Sequence, residues 1–200
     1  MKSTLLAALV AAGFASAGPA SAALVTLDFE GPGSFESIGS YYAGQGVTFG
    51  LDALAIRNDE LGPYFSNAPS PIGVMTPVGS QSAMNVAPGF NGIASLWYSS
   101  TEVQSVSIWS GLDGTGSLLH TWFLDNNAQA GCGDSPYCNW TQLSFDLGAS
   151  IGRSIVFGGT GAGFDDVAVN TVPVPAALPL LAMGVAGMGA FMRRRRQAAG

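Results

Sequence analysis

Trp140-Thr-Gln-Leu-Ser-Phe-Asp-Leu147 alternates polar and apolar side chains from Gln142 onward. Successive side chains of a β-strand point to opposite faces, so this stretch predicts a strand with one buried and one wetted face. The same reading predicts strands at Leu24–Glu30, Gly46–Phe49, Ser95–Tyr98, Val103–Trp109, Ser117–Leu124, Ser154–Gly158 and Phe164–Val169. Gly- and Asn-rich turns separate them. The segment between the chain's two ends shows no sustained 3.6-residue period, which excludes a helical core. Short strands at regular spacing predict an all-β fold, an antiparallel sandwich, with a strand order that the pattern leaves open. Asn58 to Gly92 is poorly patterned and holds Pro63, Pro69, Pro71, Pro77 and Pro88. It predicts an extended excursion on the sandwich.

Residues 23–171 carry all 13 Asp and Glu of the chain but only Arg57 and Arg153 among the basic residues, a net charge of −11. A phosphate backbone is held by Lys and Arg, so the balance disfavours nucleic acid and anionic membrane surfaces as partners of this domain. The balance suits divalent cations and neutral glycans. Some 150 residues are enough for one domain with a real core.

Both ends of the chain belong to trafficking. Lys2 precedes the uncharged run Leu5–Ala17, followed by small-residue exits at Ala15-Ser-Ala17 and Ala20-Ser-Ala22. That order predicts a signal peptide over residues 1–22, cleaved after Ala22, and hence export. In an exported chain, Cys132 and Cys138 in Gly131-Cys-Gly-Asp-Ser-Pro-Tyr-Cys138 predict a disulfide closing a small loop.

The far end reads Val172-Pro173-Val174-Pro175-Ala176, then an uncharged span to Met192, then Arg193, Arg194, Arg195 and Arg196. As a helix, the span over 176–192 reaches roughly 25 Å, close to the hydrocarbon thickness of about 30 Å. The four arginines behind it predict a transmembrane helix with a cytoplasmic C-terminus. Motif, span and basic stop in this order resemble the PEP-CTERM class of C-terminal sorting signals, in its Val-Pro-Leu-Pro-Ala variant. Val174 stands where the namesake motif has Glu. The resemblance covers residues 172–200. It implies a Gram-negative, exopolysaccharide-producing source and an exosortase-type transpeptidase as partner. It also implies residence at the inner membrane, transient or anchored, before the cell envelope or extracellular matrix. It assigns no activity to residues 23–171.

Within that domain, Asp28-Phe-Glu30 and Phe164-Asp-Asp-Val167 stand out. Asp28 and Glu30 are expected on one strand face, with Leu27 and Phe29 on the other. Of Asp165 and Asp166, only one can share a face with Phe164 unless a bulge intervenes. The second motif resembles the Asp-Asp closing strand of jelly-roll carbohydrate-binding modules. That resemblance implies a jelly-roll-like sandwich and a structural Ca²⁺ held by Asp28, Glu30, Asp165 and Asp166, since this metal takes oxygen ligands in flexible geometry. Without an ion, the same carboxylates serve as solvated edge charges. Asn58-Asp-Glu60 after Arg57 reads as a local salt bridge or a weak metal site.

Trp97, Tyr98, Trp109, Trp122 and Trp140 either fill the core or form a sugar-stacking platform. Tyr41, Tyr42, Tyr64 and Tyr137 lie in turn-like segments and are the expected exposed aromatics. His120 is the single histidine and has no motif around it, and no Gly-x-Ser-x-Gly frames a serine. The expectation is a non-enzymatic, exported adhesive or structural module associated with exopolysaccharide or biofilm. The alternatives are a glycan binder like the carbohydrate-binding modules and a secreted hydrolase.

Overall fold

The computed structural model describes residues 22–60, 62–128 and 133–173. The expected signal peptide up to residue 21, Cys132, and the tail from Val174 through the apolar span to Arg196 lie outside the described residues. Among the described residues, no helix is long and apolar enough to cross a membrane.

Ten strands form: β1 (Ala23–Leu27), β2 (Val47–Phe49), β3 (Ala53–Arg57), β4 (Gly73–Pro77), β5 (Ala83–Ser100), β6 (Gln104–Trp109), β7 (Leu118–Leu124), β8 (Thr141–Asp146), β9 (Gly152–Phe157) and β10 (Ala162–Thr171). The fold is all-β, and every pair of strands is antiparallel. Hydrogen bonds link them in the order β3-β4-β10-β5-β9-β6-β7, with β1 on β10 and both β2 and β8 on β5.

The 18-residue β5 organises the sheet. Its first part, Ala83 to Val86, pairs with β9 and β2, and its second part, from Ile93 to Tyr98, pairs with β8 and β10. Between them, Pro88 has no amide hydrogen for the ladder and Gly89 takes a left-handed φ of 87°. The register against β9 slips between Asn85 and Phe90 at the same place. One strand therefore serves two arms of sheet.

The arms share a single core. Met84, Ile108 and Ile155 of one arm bury with Leu27, Leu96 and Phe164 of the other. Phe157 of β9 and Phe164 of β10 are not on neighbouring strands, yet their ring centroids are 4.8 Å apart. The burial pattern of β6, with Val106 and Ile108 inside and Ser105 and Ser107 outside or partly so, is the period-2 alternation of its sequence.

Three expectations change. Asn58–Gly92 is not one excursion, because it contains β4 and the first half of β5. Pro71 precedes β4 and Pro77 closes it, so both prolines stand where a ladder tolerates them. β3, unrecognised in the sequence, pairs with β4 along its whole length. The first strand stops at Leu27, short of the expected Glu30.

Candidate functional site

The acidic residues of the two chain ends come together, but as hydrogen-bond acceptors. Past β1, Phe29 adopts a left-handed φ of 55° and is fully buried. Burying that ring contributes roughly 1.5–3 kcal/mol, enough to offset the about 1–2 kcal/mol that the backbone conformation costs. On β10, Asp165 pairs with Trp97 and Ala168 with Ser95, so three steps face two. This is the bulge on which the placement of the Asp pair depended. Asp166 takes a φ of 45° within it. Phe164, Asp165 and Val167 are all fully buried as a result.

Asp165 Oδ2 accepts the Ser70 amide at 2.8 Å, and Oδ1 accepts the Asp166 amide at 2.8 Å. Ser70 Oγ lies 2.7 Å from Asp165 Oδ1 and 2.8 Å from the Asp28 carbonyl oxygen. A hydroxyl has one hydrogen, so it can donate to only one of these two oxygens. When it serves the Asp28 carbonyl, the second contact requires a proton on Asp165. Burial favours that proton and pushes the carboxyl up to about 7, against the lowering effect of the Ser70 and Asp166 donors. Asp166 is raised too, by burial first and then by the Asp28 and Glu30 carboxylates. Glu30 Oε1 accepts the Ile72 and Gly73 amides at 2.8 and 3.0 Å, and Asp28 Oδ1 accepts the Glu30 amide at 3.2 Å. Gly73 is required here, since a Cβ would collide with the Phe29 carbonyl. Among the described residues, no three His, Cys, Asp or Glu side chains are placed to share a metal ion. The corner ties β1, β4 and β10 to the segment around Ser70.

Arg57 does not pair with the acids that follow it. Its Nη1 donates to the Glu30 carbonyl at 2.7 Å and the Pro32 carbonyl at 3.4 Å. Asn58 organises the next turn, its Oδ1 accepting the Tyr64 amide and its Nδ2 donating to the Phe65 carbonyl, both at 2.9 Å. His120 is stacked on Phe145 with centroids 3.7 Å apart and meets Trp122 edge-on. Burial lowers its pKa, so the ring is a neutral packing element of the core's rim.

The candidate binding site is an aromatic cleft on the outward face of β3, β4 and β10. Ile56, Val74, Thr76 and Gly163 form its floor, and it encloses about 330 Å³. That lies at the lower end of ligand pockets, which run from about 300 to 1,000 Å³. Phe35, Tyr64, Tyr137 and Trp140 supply rings to its walls. Two segments distant in sequence hold these rings. Phe65 and Tyr137 form a parallel bridge, with the Ser66 amide donating to the Tyr137 carbonyl at 2.8 Å. Ser135 Oγ donates to the Tyr64 carbonyl at 2.6 Å, and Trp140 Nε1 to the Ser66 carbonyl at 2.9 Å. The Trp140 ring packs edge-on against Phe65 and lies over Gly163, where a Cβ would come within 3.3 Å of it. Phe35, 54% exposed, meets Tyr64 edge-on with centroids 5.2 Å apart. Cys138, next to Tyr137, is disulfide-bonded. The chain's other cysteine, Cys132, is outside the described residues.

The expected exposed aromatics Tyr64 and Tyr137 do line the site, and Tyr41 is exposed, while Tyr42 is buried. Tyr98 and Trp122 are buried as core, and Trp97, Trp109 and Trp140 are partly covered. Phe35 was missed. Its only sequence signal was an aromatic among Gly, Pro and Ser, which marks exposure but not a partner.

No family model matches the chain, and no curated protein matches it. Among solved structures, it is similar to the K1 cleaved adhesin domain of Lys-gingipain from Porphyromonas gingivalis W83. That likeness has 15% identity and a TM-score of 0.42 over 75% of this chain and 99% of that one. A family 29 carbohydrate-binding module from Piromyces equi is similar at 14% identity and a TM-score of 0.42, over 76% and 91%. The N-terminal modules of a Clostridium thermocellum xylanase, solved with xylohexaose, are similar at 14% identity and a TM-score of 0.38, over 74% and 28%.

Proposed function

We propose that this chain is an exported, non-enzymatic binding module that receives a sugar residue of a surface or matrix polysaccharide in the aromatic cleft. In this reading, the two sheet arms form a jelly-roll-like sandwich, and the C-terminal signal delivers the domain through an exosortase to the envelope or matrix. The observation that carries it is the cleft itself, four rings around about 330 Å³ of open space. Rings with free faces pack against the C–H faces of sugars, and neighbouring hydroxyls satisfy the polar rim. A solvated surface that served only as scaffold would have no reason to hold two remote loops together around these rings.

Affinity electrophoresis of the full-length protein on a panel of polysaccharides, including the exopolysaccharide of the source organism, tests the proposal. Phe35→Ala and Tyr137→Ala are expected to weaken retention about tenfold each, the equivalent of about 1.4 kcal/mol. Because Phe35 is 54% exposed, the thermal midpoint of its variant should move by no more than about 2 °C. Absence of retention on every polysaccharide, or retention unaffected by both changes, overturns the reading.

A further inference from the structure

We infer that the cleft selects sugars bearing a free, protonated amine over their N-acetylated and carboxylated counterparts. This rests on the glycan reading above and adds the charge of the ligand to it.

The walls are aromatic, and an aromatic ring carries the negative side of its quadrupole on its faces. A cation within about 6 Å of a ring centroid is attracted to it. Phe35, Tyr64, Tyr137 and Trp140 bring four such rings to one space. A carboxylate stands in the turn that leads to Pro63 and Tyr64, where the Gly62 amide donates to the Asp59 carbonyl at 3.3 Å. Burial first, and then the Asp59 carboxylate, raise the pKa of the Tyr64 phenol. Glu60 and Asp134 are exposed on the segments that supply the walls.

Among the described residues, no positive side chain answers them. Neither arginine of the described domain lines the cleft. Arg57 follows the lining residue Ile56, but its guanidinium is turned to the Glu30 and Pro32 carbonyls. Arg153 lies on β9, in the other arm of the sheet. A ligand carboxylate would therefore enter a site with no counter-charge and with carboxylates at its rim. A ligand ammonium would meet the rings, with the Asp59 carboxylate on the turn beside them. Acetylation of the amine removes the charge while keeping the sugar ring, so it isolates the electrostatic part of recognition.

The test is titration calorimetry of the full-length protein with three probes: the β-1,4 tetramer of glucosamine, its N-acetylated form, and tetragalacturonate. At low salt, the free-amine tetramer is expected to bind about tenfold tighter than the N-acetylated one, and tetragalacturonate to show no saturable binding. Raising the salt should narrow the gap, as it does for exposed charges. Asp59→Asn should reduce the ratio of the two affinities about threefold or more. Equal or tighter binding of the N-acetylated tetramer overturns the inference, as does saturable binding of tetragalacturonate. So does an amine preference that survives unchanged in both Asp59→Asn and Tyr137→Ala, since it would then belong to the whole acidic surface. Binding of the N-acetylated tetramer without any amine preference leaves the glycan reading standing. If none of the tetramers and no polysaccharide is held, both fail.

Discussion

Asp165→Ala is expected to lower the thermal midpoint by roughly 10 °C, and Asp165→Asn, which strands one backbone amide instead of all the donors, by roughly 5 °C. The carboxyl is fully buried and is the partner of the Ser70 amide, the Ser70 hydroxyl and the Asp166 amide. Alanine leaves buried donors without acceptors, at about 1–3 kcal/mol for each such group. A loss of about 3–4 kcal/mol corresponds to roughly 10 °C in a domain of this size. Asparagine keeps one acceptor oxygen and an N–H group toward Ser70 Oγ, but it leaves one of the two backbone amides that the carboxyl serves without an acceptor.

The pH dependence follows from the same geometry. The folded carboxyl, at about 7, holds its proton more tightly than an unfolded Asp at 3.8. Its contribution to stability is therefore complete below the unfolded value. It declines as the pH rises toward about 7 and changes no further above that. Asp166 shifts in the same direction. Denaturant titrations between pH 4 and 8 should show the parent losing stability on the way up and Asp165→Asn losing less. An Asn variant as damaged as the Ala variant, with the slope intact, would show that Asp165 is ionised in the fold. Calcium provides an independent check. Carboxylates that serve backbone amides predict a midpoint insensitive to millimolar calcium and to chelator, and a rise of several degrees with calcium would reveal a shared ion instead.

Phe164→Ala should be the most damaging apolar truncation. The ring is fully buried, faces Phe157 at 4.8 Å and sits opposite Met75 of β4 and Tyr98 of β5. It therefore packs both arms of the sheet from a strand in only one of them. A loss of about 3–5 kcal/mol is expected, combining lost transfer energy with the cavity left behind. Phe123, 77% exposed on β7, provides the contrast, with Phe123→Ala changing stability by less than about 0.5 kcal/mol. Chemical denaturation of the two variants separates them. Comparable midpoints would mean that the two arms do not depend on a common core.

Period-2 alternation made β6 and β8 legible, because every second residue there is apolar and more covered than its neighbours. β3 and β4 were not legible. Ala53-Leu-Ala-Ile-Arg57 and Gly73-Val-Met-Thr-Pro77 are covered on both faces to differing degrees, so their polar residues do not alternate cleanly. Prolines around β4 and within β5 were weighed as breakers, but they sit at a strand end and at the bend between the arms. The acidic corner was legible as a pairing of the two chain ends. Its hydrogen-bond partners were not, because Ser70 is 95 residues away from Asp165. The cleft was legible only as a set of exposed tyrosines. Phe35, Tyr64, Tyr137 and Trp140 are gathered by loop-to-loop hydrogen bonds, and no local pattern encodes such contacts.

β10 also carries a mechanical consequence. Gly163, near its start, floors the cleft, and Thr171, at its end, leads into the C-terminal segment. At about 3.3 Å per residue, these points are separated by roughly 26 Å along the strand. Tension between a ligand held in the cleft and an anchor attached through Thr171 would run along β10. Its hydrogen bonds to β1 and β5 lie across that direction and would be loaded together, in shear. Tension applied between Ala23 and Thr171, which are paired neighbours, would instead open β1 from β10 one bond at a time. Under the proposed reading, the domain would resist pulling along β10 from the cleft and yield when pulled by Ala23 and Thr171.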